Sequence, residues 1–422
     1  MQSATNEAPG ILEAPREEVI APLPRITLQA FCETPAVAAT MQAAIADRRM
    51  DKTHARIQMG GPAAAVEAFR TAPTPNVIVV ETLSDPAALT GHLDSLAESC
   101  DPGTKVIVIG HVNDIQLYRD LLRRGVSEYL IAPLDTLDLL RALSELYVAP
   151  DARHLGRVIA VIGAKGGVGA STVAHNMAWA VARNLDASTV IVDLDIAWGT
   201  AGLNFNQDPP QGIAEAVFAP ERLDSNLLDR LLSRCSENLA LLAAPAVLDR
   251  TIDLDEEALD PLLELLRASV PCIVLDVPHQ WSSWARRTLI GADEILVVAE
   301  PELASLRNAK NIVDLSRATR PNDAVARLVL NRVGMPKRPE IGPGEFAKAL
   351  GIDVLSTIPF DAQLFGTALN NGQMIAEIQA NGKASEAFTQ IASALTGRGE
   401  AKRNRRSLLE PLVSKLKLRK AS

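Results

Sequence analysis

With 422 residues, the chain is too long for one ordinary hydrophobic core, so at least two domains are expected. Its 47% hydrophobic and 22% charged residues are typical of a globular protein, and its low aromatic content favours an α/β architecture over an all-β one. A net charge of −9 argues against a protein that coats nucleic acid, although a local basic segment can act independently of that average.

The two ends and the cysteines indicate where the protein works. Residues 1–24, MQSATNEAPGILEAPREEVIAPLP, predict a disordered segment and not a secretory signal, because no basic start is followed by an apolar core. No run of about eighteen apolar residues predicts a spanning helix, so we expect a cytoplasmic protein. The scattered cysteines have no metal or redox spacing and are predicted to be reduced. They are Cys32, Cys100, Cys235 and Cys272.

Residues 25–147 alternate short apolar runs with amphipathic segments. The strand candidates are ITLQAF, ARIQM, NVIVVE, KVIVIG and EYLIAP. Helical patterns separate most of them, whereas NVIVVE and KVIVIG are predicted to be joined by a polar turn. This alternation predicts successive βαβ units on a doubly wound parallel sheet of five strands. Residues 148–156 then predict a linker.

Residues 157–397 repeat the alternation on a larger scale. Seven strand candidates are present, with helical patterns between most of them: RVIAVIG, STVIVDLD, LALLAA, PCIVLDVP, EILVVAE, ARLVLNRV and DVLSTIPF. We therefore predict a mostly parallel, seven-stranded sheet covered on both faces. Residues 398–422 form a basic tail that holds nine Lys or Arg against two Glu.

The most informative stretch of the second series is GAKGGVGAST, residues 163–172. It follows a buried strand and opens a helix predicted to begin near Ala170, which is the context that makes a glycine motif credible. Backbone N–H groups of such a loop converge on an anion, and the helix N-terminus adds partial positive charge. Ser171 has the position of a Mg²⁺-binding hydroxyl, and Thr172 lies beside it for a phosphate oxygen.

KGGVGAST resembles the deviant Walker A loop of the ParA/MinD superfamily of ATPases, KGGxGK[ST]T. The resemblance implies ATP and Mg²⁺ as cofactors and a homodimer in which Lys165 reaches the partner's phosphates. The implied nucleotide contacts of the loop are Lys165, Gly166, Gly167, Val168, Gly169, Ala170, Ser171 and Thr172. The second lysine of the motif is replaced by Ala170.

The loss of that lysine has a predictable size. A charge-assisted hydrogen bond to phosphate is worth about 1.5–3 kcal/mol, so affinity should fall by about ten- to a hundredfold. Backbone amides, the helix end and Mg²⁺ remain, and we therefore expect ATP binding to persist. Hydrolysis depends more strongly on positioned cations, so we expect at most a weak ATPase.

Three carboxylates follow buried strands at the spacing of the same superfamily. VIVDLD ends with Asp193 and Asp195, and CIVLDVP resembles a Walker B strand that ends at Asp276. The resemblance implies that Lys165 and Asp195 are the catalytic residues, and that Asp195 orients the attacking water. It also implies that Ser171, Asp193 and Asp276 hold Mg²⁺, partly through water.

The last part of the second series resembles the superfamily's base pocket. LVLNRV places Asn331 at a strand end, where the superfamily contacts the adenine ring. The segment IPFDAQLFGTALNNGQMI is similar to the one that closes the pocket, with Pro359 and Phe360 at its start. The order of motifs, over residues 157–396, is more specific than any single one.

The first series has the length and alternation of a response-regulator receiver domain, but it lacks the receiver's chemistry. Glu81 stands where the phosphoacceptor aspartate is required, Glu33 is the single acid after the first strand, and Gly110 and Ala132 replace the hydroxyl and lysine positions. A carboxylate one methylene longer does not reproduce acyl-phosphate geometry without its counter-ions. We therefore predict a degenerate receiver that docks partners.

A receiver-like domain joined to a deviant Walker A domain with alanine in place of lysine is similar to the CpaE/TadZ family. This implies an ATP-dependent dimer that localises and assembles type IVc (Flp/Tad) pilus machinery in the cytoplasm, at the inner membrane or cell pole. The alternatives are a partition ATPase that binds DNA, disfavoured by the acidic body, and a nucleotide-free scaffold. The basic tail is predicted to contact anionic lipid or an acidic partner, to be a solvated segment, or to contact DNA nonspecifically.

Overall fold

The computed structural model describes residues 19–147, 155–209, 211–244 and 254–398. They form two largely parallel β-sheets, one of five strands and one of eight, with helices and apolar side chains packed on both faces. The predicted α/β class with two doubly wound sheets is therefore confirmed.

The first sheet contains the receiver-like series. Its strands are β1 (Thr27–Cys32), β2 (His54–Met59), β3 (Val77–Glu81), β4 (Lys105–Gly110) and β5 (Glu128–Ile131). Its helices are α1 (Pro35–Ile45), α2 (Gly61–Phe69), α3 (Pro86–Ala97), α4 (Ile115–Arg123) and α5 (Thr136–Glu145). The strand order is β2-β1-β3-β4-β5, with every neighbouring pair parallel. This order is typical of flavodoxin-like doubly wound folds.

Two predictions in this series need correction. The segment between NVIVVE and KVIVIG contains helix α3 and not a polar turn alone, because Asp85 caps its N-terminus and Leu89 and Leu93 are buried against the sheet. The predicted disordered N-terminal segment is too long at its end. Residues 19–24 have no helix or strand, but Ile20 and Leu23 are buried in the first core.

The second sheet and its helices contain the glycine loop. Its strands are β6 (Arg157–Gly163), β7 (Thr189–Asp193), β8 (Ser233–Arg234), β9 (Leu239–Leu242), β10 (Cys272–Val277), β11 (Glu294–Ala299), β12 (Arg327–Val333) and β13 (Val354–Pro359). Its helices up to β10 are α6 (Ala170–Asn184), α7 (Ala201–Asn204), α8 (Ile213–Phe218), α9 (Ser225–Leu231) and α10 (Asp260–Ser269). The later helices are α11 (Ser283–Gly291), α12 (Leu303–Thr319), α13 (Pro343–Leu350), α14 (Ala362–Asn371), α15 (Ile375–Ile378) and α16 (Lys383–Thr396).

The strand order of the second sheet is β13-β12-β11-β6-β10-β7-β9-β8. The seven predicted strands are all present and parallel, and the sequence missed β8, a two-residue antiparallel edge strand. Strands β6, β7 and β10 lie side by side near the centre of the sheet, and their residues from Val158 to Ile162 and from Cys272 to Val277 are buried. Because parallel strands share their carboxyl edge, the glycine loop and the carboxylates after β7 and β10 meet there.

A buried ionic cluster joins the two sheet units. Arg48 lies in a short 3-10 turn after α1, and its guanidinium contacts Asp293 at 3.3 Å and Asp323 at 2.8 Å in the second unit. Arg49 also pairs with Asp323. Burial alone would raise the pKa of Asp293, but Arg267 and Arg48 lower it to about 2. The carboxylate is therefore ionised at neutral pH and ties the units together.

Some predicted segments fall wholly or partly outside the described ranges: residues 1–18, most of the linker (148–154) and the basic tail from 399 onward. Within the described ranges, no helix combines the length and apolar character required to cross a bilayer.

Candidate functional site

The glycine loop joins β6, which ends at Gly163, to α6, which begins at Ala170 as predicted. Gly167 and Gly169 have φ values of 82° and 85°, in the left-handed region that a side chain disfavours. Gly169 is the N-cap residue of α6, so the loop leads directly onto the helix N-terminus. The sequence thus folds here into the turn that an anion-binding loop requires.

Asn331 supports the loop from the end of β12. Its side-chain Nδ2 donates to the Val168 carbonyl oxygen at 2.8 Å, and its Oδ1 accepts from the Arg332 backbone N–H at 2.9 Å. A Cβ added to Gly169 would lie 2.5 Å from Asn331 Nδ2. The residue predicted to contact the base is therefore buried beneath the loop and holds its shape in this structure.

Lys165, the lysine predicted to reach a partner subunit, is bound by a carboxylate of its own chain. Its Nζ lies 2.5 Å from Glu302 Oε1, at the N-terminus of α12. Asn308, six residues further along that helix, donates to the Ala164 carbonyl oxygen at 2.9 Å. Helix α12 thus contacts the loop at two points, which sequence reasoning did not anticipate.

Asp193 and Asp276 face each other across neighbouring strands, since they are register partners on β7 and β10. Both side chains are buried. Burial and the nearby charge of Asp276 raise the pKa of Asp193 to about 7, although His175 and two backbone N–H donors act in the opposite sense. His175 Nε2 lies 3.3 Å from Asp276 Oδ2. The predicted pair is close and electrostatically unfavourable when both carboxylates are ionised.

Asp195, the predicted catalytic carboxylate, lies two residues beyond the end of β7 and is half-buried. Its Oδ1 accepts from the Trp198 backbone N–H at 3.2 Å, and burial raises its pKa. Ser171 and Thr172 lie in the first turn of α6, on the carboxyl edge of the same sheet. The structure therefore gathers the predicted loop, hydroxyl and carboxylate residues at one edge.

The oxygen donors of this edge fit Mg²⁺. In the described ranges no cluster of three or more His, Cys, Asp or Glu side chains could hold a metal without help. Ser171, Asp193 and Asp276 offer the hard oxygen ligands that Mg²⁺ prefers, and phosphate oxygens and water complete such a shell in phosphate-binding loops. The mutual repulsion of Asp193 and Asp276 would be relieved by a divalent cation.

A cavity of about 350 Å³ opens beside the loop. It includes the predicted residues Gly169, Thr172, Asn331, Pro359 and Phe360 in its wall. Most of the remaining wall is apolar and comes from α14 and the residues around α15, as suits a flat heterocycle. The predicted closing segment therefore borders the loop in space.

Sequence reasoning missed Asn176, which fixes one wall of this cavity. Its Nδ2 donates to the Thr172 carbonyl oxygen at 2.9 Å, and its Oδ1 accepts from the Ile375 N–H at 2.8 Å. Asn176 lies one helical turn after Thr172, so the sequence spacing predicts that both lie on the same face of α6. The hydrogen bond to Ile375 at the start of α15 spans 199 residues, and spacing along the chain does not predict it.

The carboxylate at the edge of the first sheet lies in a different environment. Glu81 ends β3 and is fully buried. Its oxygens accept from the backbone N–H groups of Glu33 and Thr34 at 2.8 Å, from the Thr34 hydroxyl at 2.6 Å and from His111 at 3.0 Å. Burial would raise the pKa of Glu81, but these hydrogen bonds lower it. The carboxylate is already saturated with donors.

The fold and the loop together define a P-loop domain of ParA/MinD type. Residues 156–322 match a family model described as an AAA domain. Septum site-determining protein MinD of Helicobacter pylori is 29% identical over 253 residues, which cover 57% of this chain and 90% of MinD. A ParA family ATPase from Chlorobium tepidum TLS is 26% identical, with a TM-score of 0.51, over 56% of this chain and 98% of that one.

A more specific similarity concerns a pilus assembly protein CpaE from Caulobacter crescentus CB15. It is 50% identical, covers 31% of this chain and 100% of its own, and has a TM-score of 0.30. Half of the residues are thus identical over a whole solved chain, in the N-terminal part of this protein. On that sequence identity, the chain belongs to the CpaE-type ParA/MinD family, as its motifs predicted.

Proposed function

We propose that the chain is an ATP-binding localisation and assembly factor for type IVc (Flp/Tad) pili, and that it acts as an ATP-dependent dimer. The observation that carries the proposal is a glycine loop with left-handed Gly167 and Gly169 beside an apolar cavity, in a chain of the CpaE-type family. Such a loop and cavity suit a triphosphate and a base.

Each part of the nucleotide has a candidate partner. The base would occupy the cavity beside Pro359 and Phe360, and the phosphates would accept hydrogen bonds from the loop amides between Gly166 and Thr172. Ser171, Asp193 and Asp276 would hold Mg²⁺, which supplies positive charge against the phosphate oxygens. Asp195 would orient water, and the absence of a lysine at Ala170 limits hydrolysis.

Dimer formation would require Lys165 to change partners. In the single chain its ammonium is paired with Glu302, and both side chains are partly exposed. A triphosphate bound to a second subunit offers more negative charge than one carboxylate, so the lysine would exchange Glu302 for that phosphate. The exchange would link nucleotide binding to association.

The first sheet unit would act as the docking module for pilus machinery, because Glu81 is saturated by internal donors and offers no free acceptor carboxylate. The basic tail would add peripheral contact with anionic lipid at the inner membrane, from the cytoplasmic side. DNA is not an expected partner, since the chain is acidic overall.

Calorimetric titration of ATP–Mg²⁺, with the molar mass followed by light scattering, tests the proposal. We expect micromolar binding by the wild type and a doubling of mass with ATP. Lys165→Ala should still bind ATP but stay monomeric. Lys310→Ala is the matched control, because this exposed lysine pairs with Asp314 on α12 away from the loop.

A nucleotide-free scaffold is the second candidate, and Ala170 is the observation that favours it. Absence of ATP binding by the wild type, with a restored signal in Ala170→Lys, would establish the scaffold. Pilus assembly is tested in the bacterium that encodes the chain. Replacement of the gene by the Lys165→Ala form should abolish pili, whereas the Lys310→Ala form should retain them.

A further inference from the structure

His279 contacts the glycine loop from the end of β10, on the side of β6 away from the base cavity. It follows β10 by two residues, and its Nδ1 lies 3.0 Å from the Gly163 carbonyl oxygen. The ring also faces the next glycine of the loop. A Cβ placed on Gly166 would have His279 Cδ2 as its nearest neighbour, at 3.8 Å.

The hydrogen bond to Gly163 fixes the protonation of one ring nitrogen. A carbonyl oxygen only accepts, so Nδ1 must carry a proton and donate it. Nε2, bonded to the Cδ2 atom that faces Gly166, is left for another partner. The side chain is exposed, so that partner can come from solvent.

Strand order places the ring at one end of the phosphate chain. The base cavity is built from the ends of β12 and β13, on one side of β6, whereas β10 lies on the other side. A nucleotide that enters the cavity with its base and crosses the loop would present its last phosphate toward β10. In that orientation His279 would lie nearest to the phosphate farthest from the base.

The loop has no unpaired cationic side chain of its own for this phosphate. Position 170 holds alanine, and Lys165 is paired with Glu302. Arg332, which borders the cavity, pairs with Glu300 at 2.7 Å. Among the described residues, in contrast, His279 forms no ion pair with a carboxylate. Its imidazole is free to pair with an anion.

We propose that His279, as an imidazolium, binds the terminal phosphate of a nucleoside triphosphate and so replaces the lysine that Ala170 has displaced. This inference rests on the proposed ATP binding and adds the residue that discriminates triphosphate from diphosphate. Nδ1 is held by Gly163, and Nε2–H donates to a phosphate oxygen. The contact is lost when the γ-phosphate is absent.

The test compares ATP–Mg²⁺ and ADP–Mg²⁺ affinities by calorimetry. The wild type should prefer ATP, and His279→Ala should weaken ATP binding about tenfold while ADP binding changes less than about twofold. His54→Ala, at an exposed histidine on β2, is the matched control and should leave both affinities unchanged. Ala170→Lys combined with His279→Ala should recover the ATP affinity.

A second variant guards against a folding defect. His279→Gln retains a donor for the Gly163 carbonyl but has no positive charge, so it should lose the ATP preference while its nucleotide-free melting temperature stays that of the wild type.

The outcomes separate the two proposals. A wild type that binds neither nucleotide overturns the proposed function. A wild type that binds ATP, with an unchanged ATP-to-ADP ratio in His279→Ala, overturns the role of His279 alone. Equal weakening of both nucleotides would also overturn it, because the ring would then support the loop and not the terminal phosphate.

Discussion

The two sheets present carboxylates at the same topological place, but the environments of these carboxylates are opposite. On the first sheet, Glu81 is buried with donors on both oxygens, and its pKa is lowered. On the second, Asp193 is buried opposite Asp276, and its pKa is raised to about 7. A carboxylate whose oxygens are all hydrogen-bonded stabilises the folded chain, whereas two crowded carboxylates repel each other unless a cation lies between them. The difference favours the second edge as the ligand-binding one and the first as structural.

Removal of Glu81 should have the largest effect on stability. Glu81→Ala leaves the N–H groups of Glu33 and Thr34 and the Thr34 hydroxyl without an acceptor in the interior, at an expected cost of about 3–5 kcal/mol in unfolding free energy. Urea denaturation measures it. Asp114→Ala, which removes only the exposed N-cap of α4, is the control and should cost about 1 kcal/mol. Equal losses in the two variants would show that Glu81 is not structural.

The glycine loop should be the next most sensitive point. Gly169→Ala forces a side chain into left-handed backbone and toward Asn331 Nδ2, so we expect a loss of about 2 kcal/mol together with weaker ATP binding. Gly344→Ala is the matched control, because this helical glycine has open space and an ordinary φ. The unfolding free energy of the Gly344→Ala protein should rise by a few tenths of a kcal/mol or more. A Gly169→Ala protein as stable as Gly344→Ala would contradict the loop geometry.

Asp193 provides a test with the opposite sign. Its folded pKa of about 7 lies above the unfolded value near 4, so the folded state binds more protons between these values and loses stability as pH rises through them. Without nucleotide, Asp193→Asn should therefore melt about 2–4 °C higher than the wild type at pH 8, with little gain at pH 4. Asp229→Asn, at an exposed position, should leave the melting temperature unchanged at both pH values. A gain independent of pH would show that Asp193 is not crowded.

The fold could be read from the sequence because parallel strands are buried on both faces and appear as continuous apolar runs. Strand β8 escaped notice since Ser233 and Arg234 form no such run, and α3 escaped because its segment contains Thr, Ser and Gly among its leucines. The loop and its carboxylates could be predicted from fixed spacing along the chain.

The partners of the site residues could not be predicted in the same way. Lys165 and Glu302 are 137 residues apart, and the contact of Arg48 with Asp323 spans 275. Side-chain pairs of this kind depend on which strands the topology places side by side, and local spacing does not record that. The loop contact of His279 is of the same kind: the sequence shows a histidine after Asp276, but only the adjacency of β6 and β10 brings it to Gly163.

The smallest expected effect concerns Lys165 and Glu302. Both side chains are partly exposed, and an ion pair of this kind contributes about 0–1 kcal/mol, so Lys165→Ala should hardly change the melting temperature without nucleotide. Glu302→Gln removes the competitor for the ammonium and should lower the ATP concentration required for dimerisation by about two- to fivefold, as sedimentation velocity would measure. Glu345→Gln, at the N-terminus of α13, is the control. If Glu302→Gln dimerises less readily than the wild type, Glu302 supports the dimer and does not restrain the lysine, because a restraint can only be relieved by its removal.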